Sequence, residues 1–375
     1  MSEWIDRAAA LAALRVRPQT LYAYVSRGRI GMRPDPDDPR RSLYRADDIA
    51  VLVDRRARGR RPSDIAASAI AWGEPVIATA ISTIGRGQLI YRGKDAVELA
   101  RTATAEQTAA LLWQAEEVRF PACGKRADDP FVTLAAFANR QHAMLGRSAE
   151  RWRDDAAACI AALSASLGAA PGDGALHERL AAGWSAKTAA PTIRKALVLM
   201  ADHELNASTF AARVAASTGA SVAASLLAGL CALSGPRHGG AGEALLGLLA
   251  DAQRLGCEKA IAGWLARNKF LPGFGHPLYP NGDPRAAALL EDLPIDRTLK
   301  QLQEAVLAAT GLPPNIDFAL AALTRAYALG EHTPFRLFAL GRAIGWAAHA
   351  MEQVAQGGLI RPRARYQGEE QPAAS

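Results

Sequence analysis

From Asp95 onward, apolar side chains recur at three- and four-residue intervals in segment after segment, with glycine or proline at the breaks. That period turns one face of each segment toward a core, as a helix does and a strand does not. The segments are Asp95–Gln114, Glu150–Leu167, Pro191–Thr218, Gly242–Leu255, Leu299–Thr310 and Phe335–Gln356. Aromatics are only 6% of the residues and alanine is abundant, so the expected fold class is all-α, with helices packed through small side chains. Only Ala78–Gly93 reads as strand, with Ala80–Thr83 and Gln88–Tyr91 around a Gly85-Arg86-Gly87 turn. No GxGxxG follows a strand, and there is no GK[ST] loop and no HExxH, which argues against a nucleotide-binding α/β fold.

Half the residues are hydrophobic and 22% are charged, ample to offset chain entropy and exclude a wholly disordered chain. Val214 to Pro236 runs 23 residues without a charge, but its serines, threonine and glycines make it weak for a bilayer core. A buried helix with its exit loop is expected there, and no membrane span. The start, Met1–Asp6, lacks the pattern of a signal peptide. Cys123, Cys159, Cys231 and Cys257 are scattered and form no CxxC pair, so reduced, buried thiols and a cytoplasmic location are expected.

The formal charge of +7 is concentrated at one end. Residues 1–62 hold 14 arginines against 8 acids, a net of +6, and the basic run Arg55–Arg61 ends at Pro62. Within this module Asp6 caps a helix through Leu14, and Pro18 opens a second helix, Gln19–Arg27. Ile30–Tyr44 then folds back around Asp35–Pro39, and Asp47-Asp48 starts another helix. The order resembles the winged helix-turn-helix of the mercury-resistance regulator family. That resemblance implies nucleic-acid contacts from Arg17, Gln19, Thr20 and Arg27 on the second helix and from Arg40 and Arg41 on the wing.

The chemistry gathers in four segments: Asp202–Arg213, read as lying within a helix; Ser234–Ala241 around His238; Leu271–Tyr279 around His276, followed by Asp283-Pro284-Arg285; and Pro313–Phe318 with Asp317. Glycines beside a histidine let the backbone approach a bound molecule and leave the imidazole accessible. His142, His177, His332 and His349 lack that setting and read as ordinary structural histidines. Asp317 alone would read as a helix cap. No metal site is expected from Asp202-His203-Glu204, because adjacent helical positions point about 100° apart.

These four segments, with Tyr91-Arg92-Gly93 before them and Ile360–Arg363 after, resemble the citrate synthase family in order, from about Ile77 to Arg363. The resemblance implies large and small helical domains over residues 63–370, the small one over roughly 234–330, behind the basic module at 1–62. It implies an acyltransferase that joins acetyl-CoA, a co-substrate, to oxaloacetate and releases citrate and CoA, with no metal and no permanently bound cofactor. Asp317 would be the base, His238 the partner of the acetyl carbonyl, and His276 the donor to the ketone of oxaloacetate. Arg285, Arg342 and His203 would hold oxaloacetate, and Arg361 would reach the neighbour's site across a homodimer. Phe338 would help close the pocket, and Leu271, Pro272, Gly273 and Gly275 would accommodate the CoA adenine.

Departures from the family pattern bear on function. Pro277 restricts the backbone of His276, and Pro280 stands where a basic residue would meet a CoA phosphate. Arg237 precedes His238 in place of the usual leucine, and weaker CoA binding or an altered acyl choice follows as an expectation. The alternatives are 2-methylcitrate synthesis from propionyl-CoA, a citryl-CoA-cleaving relative, and a DNA-binding regulator whose synthase-like body senses citrate, oxaloacetate or CoA without turnover.

Overall fold

The computed structural model describes residues 4–16, 20–21, 24–25, 30–35, 38, 42–57, 77–122, 124, 129–268 and 271–363. The chain divides into two compact units, residues 1–78 with 362–375, and residues 79–361.

In the first unit, Asp6 accepts a hydrogen bond from the amide of Ala9 at 2.7 Å and caps the helix Arg7–Leu14. Met32–Pro34 pairs antiparallel with Ser42–Arg45, and the short strand Trp4–Ile5, which the sequence does not announce, adds to the other edge. A second helix covers Ala46–Ala57. Ala10, Leu14, Leu21, Ile30, Tyr44 and Ile49 form the core of this unit. Arg17, Gln19, Arg27, Arg40 and Arg41 lie outside the described residues, as does most of the expected second helix; Thr20 is described and half-buried.

The second unit is mostly helical, as the apolar period requires. Its small sheet pairs Ser82–Gly85 with Gln88–Tyr91 through Arg86-Gly87, both at positive φ, and Lys94–Asp95 adds a third strand. Two long segments expected to be single helices are broken. Asp95–Gln114 divides into Ala96–Thr102 and Ala105–Trp113, because Thr104 and Gln107 form a capping box that starts the second helix afresh. Pro191–Thr218 divides into Ala190–Met200 and Ala207–Ser217. Here Asn206 accepts from the amides of Ser208 and Thr209, both at 3.1 Å, and Glu204 takes φ +51. The segment Asp202–Asn206 is therefore a loop, which corrects the helical reading and the metal argument that rested on it. Among the described residues, no group of three or more His, Cys, Asp or Glu side chains is placed to hold a metal ion.

The uncharged stretch folds as the twelve-residue helix Val222–Leu233, capped by Ser221. Among the described residues, no helix is long and apolar enough to cross a membrane. Cys159 is buried, but Cys231 is exposed and Cys257 half-buried, so the expectation of buried thiols holds for only one of the three described cysteines. The helix Thr333–Gln356 runs through the middle of the unit, with every residue from Leu337 to Met351 buried. Burying each large apolar side chain there contributes roughly 1.5–3 kcal/mol. Small residues permit the close approach: a Cβ on Gly341 would lie 2.7 Å from Met200 Cβ, and one on Gly345 would lie 2.3 Å from the carbonyl oxygen of Ala201. This contact sets the end of the helix Ala190–Met200 against Arg342 and delivers the Asp202–Asn206 loop to the site.

Candidate active site

Two loops are tied together to form one side of the site. The amide of Gly275 donates to the carbonyl of Pro313 at 2.8 Å, and the amide of Asn315 donates to the carbonyl of Gly273 at 2.9 Å. Asn315 Nδ2 adds a bond to the carbonyl of Gly275 at 3.0 Å. Gly273 and Gly275 adopt φ +81 and +69, which glycine alone tolerates without strain. Asn315 Oδ1 also accepts from the amide of Asp317 at 3.0 Å and starts the helix Ile316–Ala326, so His276 and Asp317 are carried by one zipped pair of loops. Leu271, Pro272 and Gly273 are buried and Gly275 half-buried.

His276 is held in a defined protonation state. The amide of Leu278 donates to its Nδ1 at 3.2 Å, so the proton of the neutral ring sits on Nε2. Pro277 supports the turn that brings this amide back. The ring of His276 lies 5.1 Å from that of His203 and 5.0 Å from that of Tyr279, and Tyr279 Oη is 3.1 Å from His203 Nε2. Arg285 lies with its guanidinium carbon 5.4 Å from the Tyr279 ring centre and is gripped by Asp283 through two bonds of 3.0 and 2.8 Å. Asp283 also receives the amide of Ile316 at 3.1 Å, which locks the arginine to the helix bearing Asp317.

The opposite side comes from the helix Thr333–Gln356 and the Asp202–Asn206 loop. Phe338 meets His238 edge-on with ring centres 5.4 Å apart, and the guanidinium of Arg342 lies 5.0 Å from the Phe338 ring centre. Arg342 Nε donates to the carbonyl of Met200 at 3.0 Å, while its buried Nη2 has no hydrogen-bond partner. His238 Nε2 stands 2.8 Å from Ser208 Oγ and 3.3 Å from Asn206 Oδ1. Arg361 is exposed beyond the last helix and makes no described bond to these groups.

Burial pushes His238 down to about 4, helped by Arg342, and pushes His276 to about 4, helped by Arg285 and opposed by Asp283. Burial and the two arginines also take His203 well below the usual range, so all three rings are neutral at pH 7. Asp317 moves the other way. Burial raises its carboxyl to about 6, with Arg285 pulling it back and Asp283 adding to the rise. Arg342 feels burial most, falls to about 10, and is supported by the charge of Asp202.

Sequence reasoning passed over the groups behind these side chains. Asp202 is fully buried, with Oδ2 accepting from Ser82 and from His349 Nε2 at 3.3 Å. Burial works to raise its carboxyl, yet His349, Arg342 and Ser82 together hold it below the usual range. Arg213 Nη1 lies 3.0 Å from His349 Nδ1 and, since a guanidinium only donates, leaves His349 with its proton on Nε2, aimed at Asp202. His349 is a structural histidine, as its sequence setting implies, and it ties the charge behind Arg342 to the buried Arg213. Its seven-residue spacing from Arg342 on one helix was the available signal. Asn206, Ser208, Tyr279 and Asp283 stood inside the recognised segments without a stated part.

A mostly helical scaffold thus brings together neutral imidazoles, buried guanidiniums and one carboxyl of raised pKa, groups whose chemistry suits carboxylate binding and proton transfer. The family model described as "Citrate synthase, C-terminal domain" matches residues 131–363, more than half of the chain, and the chain belongs to the citrate synthase family. "Citrate synthase 2" of Bacillus subtilis is 38% identical over 188 residues, which are 46% of this chain and 50% of that protein. "2-methylcitrate synthase 1" of Corynebacterium glutamicum is 35% identical over 196 residues, 47% of this chain and 49% of that one. The matched stretch thus spans about half the length of these curated relatives. The crystal structure of citrate synthase from Thermotoga maritima superposes with a TM-score of 0.68 at 25% identity, covering 82% of this chain and 98% of that one. A ternary complex of citrate synthase from Thermoplasma acidophilum with carboxymethyl coenzyme A and oxaloacetate shares the fold, with a TM-score of 0.66 at 24% identity over 81% of this chain and 96% of that one.

Proposed function

We propose that this protein condenses acetyl-CoA with oxaloacetate to give citrate and CoA. Asp317 takes a proton from the acetyl methyl group while His238 hydrogen-bonds the thioester carbonyl as it gains charge. The resulting carbon attacks the ketone of oxaloacetate, and His276 Nε2–H donates to the ketone oxygen. Water then cleaves the C–S bond, releasing CoA as a thiol and leaving the third carboxylate of citrate. The methyl proton is far less acidic than a carboxylic acid, so a base succeeds only where the enolate is stabilised at the same moment. Arg285, Arg342 and His203 hold the carboxylates of oxaloacetate, and Phe338 flanks them. The helices between residues 234 and 330 form a smaller lobe that closes on the site, and Leu271, Pro272, Gly273 and Gly275 cradle the CoA adenine. Arg361 serves the neighbouring site of a homodimer. The observation that carries this reading is Arg342 Nη2, a buried cationic donor without a partner, on the same site as a histidine whose Nε2–H is free of the Leu278 amide.

The test is thiol release from acetyl-CoA and from propionyl-CoA in the presence of oxaloacetate, with sedimentation in the same buffer reporting the homodimer. Turnover is expected with acetyl-CoA. A clear preference for propionyl-CoA would move the assignment to 2-methylcitrate synthesis. Well-folded protein that binds oxaloacetate but releases no thiol would make the body a sensor.

A second reading concerns residues 1–62, which we propose form a winged helix-turn-helix-like module that binds duplex DNA. It is supported by the net charge of +6 and by the antiparallel pairing of Met32–Pro34 with Ser42–Arg45, where a wing is expected. Arg33 and Arg45 also lie 4.5 and 5.5 Å from the ring centre of Trp4. The full chain should bind DNA with an affinity that falls at least a hundredfold between about 50 and 200 mM salt. No binding at the lower salt would end this reading.

A further inference from the structure

We propose that Ser82 is a positioning residue for His203: its one hydroxyl binds both chain neighbours of that histidine and so aims the ring into the site. This deepens the reading of His203 as a holder of oxaloacetate and rests on it.

The direction of each bond is fixed. Ser82 lies buried on the strand Ser82–Gly85, 120 residues before Asp202 in the chain. Its Oγ donates to Asp202 Oδ2 and accepts from the amide of Glu204 at 3.1 Å. Burial disfavours the Asp202 anion, yet His349, Arg342 and Ser82 hold its carboxyl below the usual range, so it only accepts. An amide only donates, and the hydroxyl therefore has a single arrangement. Its anchor is itself immobile. Asp202 Oδ1 packs against Gly345, where a Cβ would lie 2.4 Å away, and Oδ2 also takes His349 Nε2–H at 3.3 Å. The same strand holds the far side of the loop, since the amide of Ile84 donates to Glu204 Oε1 at 2.5 Å.

Glu204 shows what these bonds hold in place. It stands at φ +51, a left-handed conformation that costs free energy in any residue with a side chain. Such a conformation persists only where its surroundings over-determine it. His203 sits between Asp202 and Glu204, with its carbonyl accepting from Asn206 Nδ2 at 3.3 Å and its Nε2 3.1 Å from Tyr279 Oη. Removing the hydroxyl strands the Glu204 amide and lets Glu204 relax toward negative φ. That relaxation turns the His203–Glu204 peptide and draws the imidazole away from Tyr279 and from the dicarboxylate.

Ser82→Ala should raise both the Kd and the KM for oxaloacetate about tenfold, the effect of one hydrogen bond. The kcat, and the KM for acetyl-CoA at saturating oxaloacetate, should stay within about twofold, because His203 binds rather than reacts. In a His203→Ala background the same substitution should cause no further loss of oxaloacetate affinity by calorimetry, whereas a general loosening of the fold would add one. Nitrogen-15 shifts of the His203 ring in the ligand-free protein report its bond to Tyr279 and should move in Ser82→Ala. Should that variant fail to fold, Ser82→Cys fills the space with only a weak donor and acceptor, and the same changes are expected. Unchanged oxaloacetate affinity in a folded variant, a wild-type His203 signal, or an equal further loss without His203 would overturn the inference. If the wild type binds no oxaloacetate, the synthase reading fails, while the His203 signal still judges Ser82 on its own.

Discussion

Asp317→Asn is expected to reduce thiol release at least a thousandfold and, at neutral pH, to raise the melting temperature. Both effects have one cause. Burial raises this carboxyl from the ordinary aspartate range to about 6, so at pH 7 the folded protein keeps an anion in a place that disfavours it. A group whose folded pKa lies above its unfolded value binds more protons in the folded state, so its contribution to stability falls as pH rises between about 4 and 6. The cost is complete above about pH 6 and absent below the unfolded pKa. For a half-buried group, with solvent screening allowed for, it is of order 1–2 kcal/mol. Asn keeps the shape and removes the charge, so the gain in melting temperature should vanish near pH 4. The same carboxyl must be ionised to accept a proton, so wild-type kcat/KM for acetyl-CoA should drop with an acid limb near pH 6. Since His238 and His276 titrate near 4, they contribute nothing to that limb. An acid limb well below 5, or a variant that melts lower than the wild type at pH 7, would show that Asp317 is not the buried base.

Gly345→Ala is expected to be strongly destabilising. Alanine is the better helix former by about 1 kcal/mol, so propensity alone predicts stabilisation. The added Cβ would lie 2.3 Å from the carbonyl oxygen of Ala201 and 2.4 Å from Asp202 Oδ1, and a backbone atom cannot step aside as a side-chain end does. A loss of about 3 kcal/mol or more is expected, a fall of roughly 6 °C or more in melting temperature. Displacing Asp202 would also disturb its bonds to Ser82 and His349, which stand behind Arg342. Gly263→Ala is the control. It sits in the helix Cys257–Asn268 with only the end of Arg267 nearby, at 3.9 Å, and should be neutral or slightly stabilising. Equal melting temperatures for the two variants would refute the close approach of Gly345 to the Asp202 loop.

Much of the second unit was legible because a repeating apolar period has one cheap solution, a helix with a buried face. Glu150–Leu167, Gly242–Leu255 and Leu299–Thr310 lie within two residues of the observed helices. The failures fell where a side chain competes with the helix for backbone amides. Thr104 and Asn206 each capture the amides that would have continued a long helix, and the apolar period runs through both breaks undisturbed. Of the site, His238, His276, Asp317, Arg285 and Arg342 were visible as residue types in glycine-rich or helix-start settings. Asp202 and His349 were not, because 147 residues separate them and only the packing of Gly345 on Ala201 brings them together.

The amino-acid order by itself determined the helical class, the basic first module, the family resemblance and the list of groups able to move protons or hold carboxylates. Those follow from period, charge and motif, which are local properties of a chain. Tertiary structure alone decided which nitrogen of His276 and of His349 carries its proton, that Arg285 is gripped by Asp283, that Arg342 keeps an unmatched donor, and that burial pushes Asp317 up to about 6. Protonation, donor accounting and desolvation depend on neighbours brought together by folding, and residues far apart in the chain cannot report them until the helices have packed.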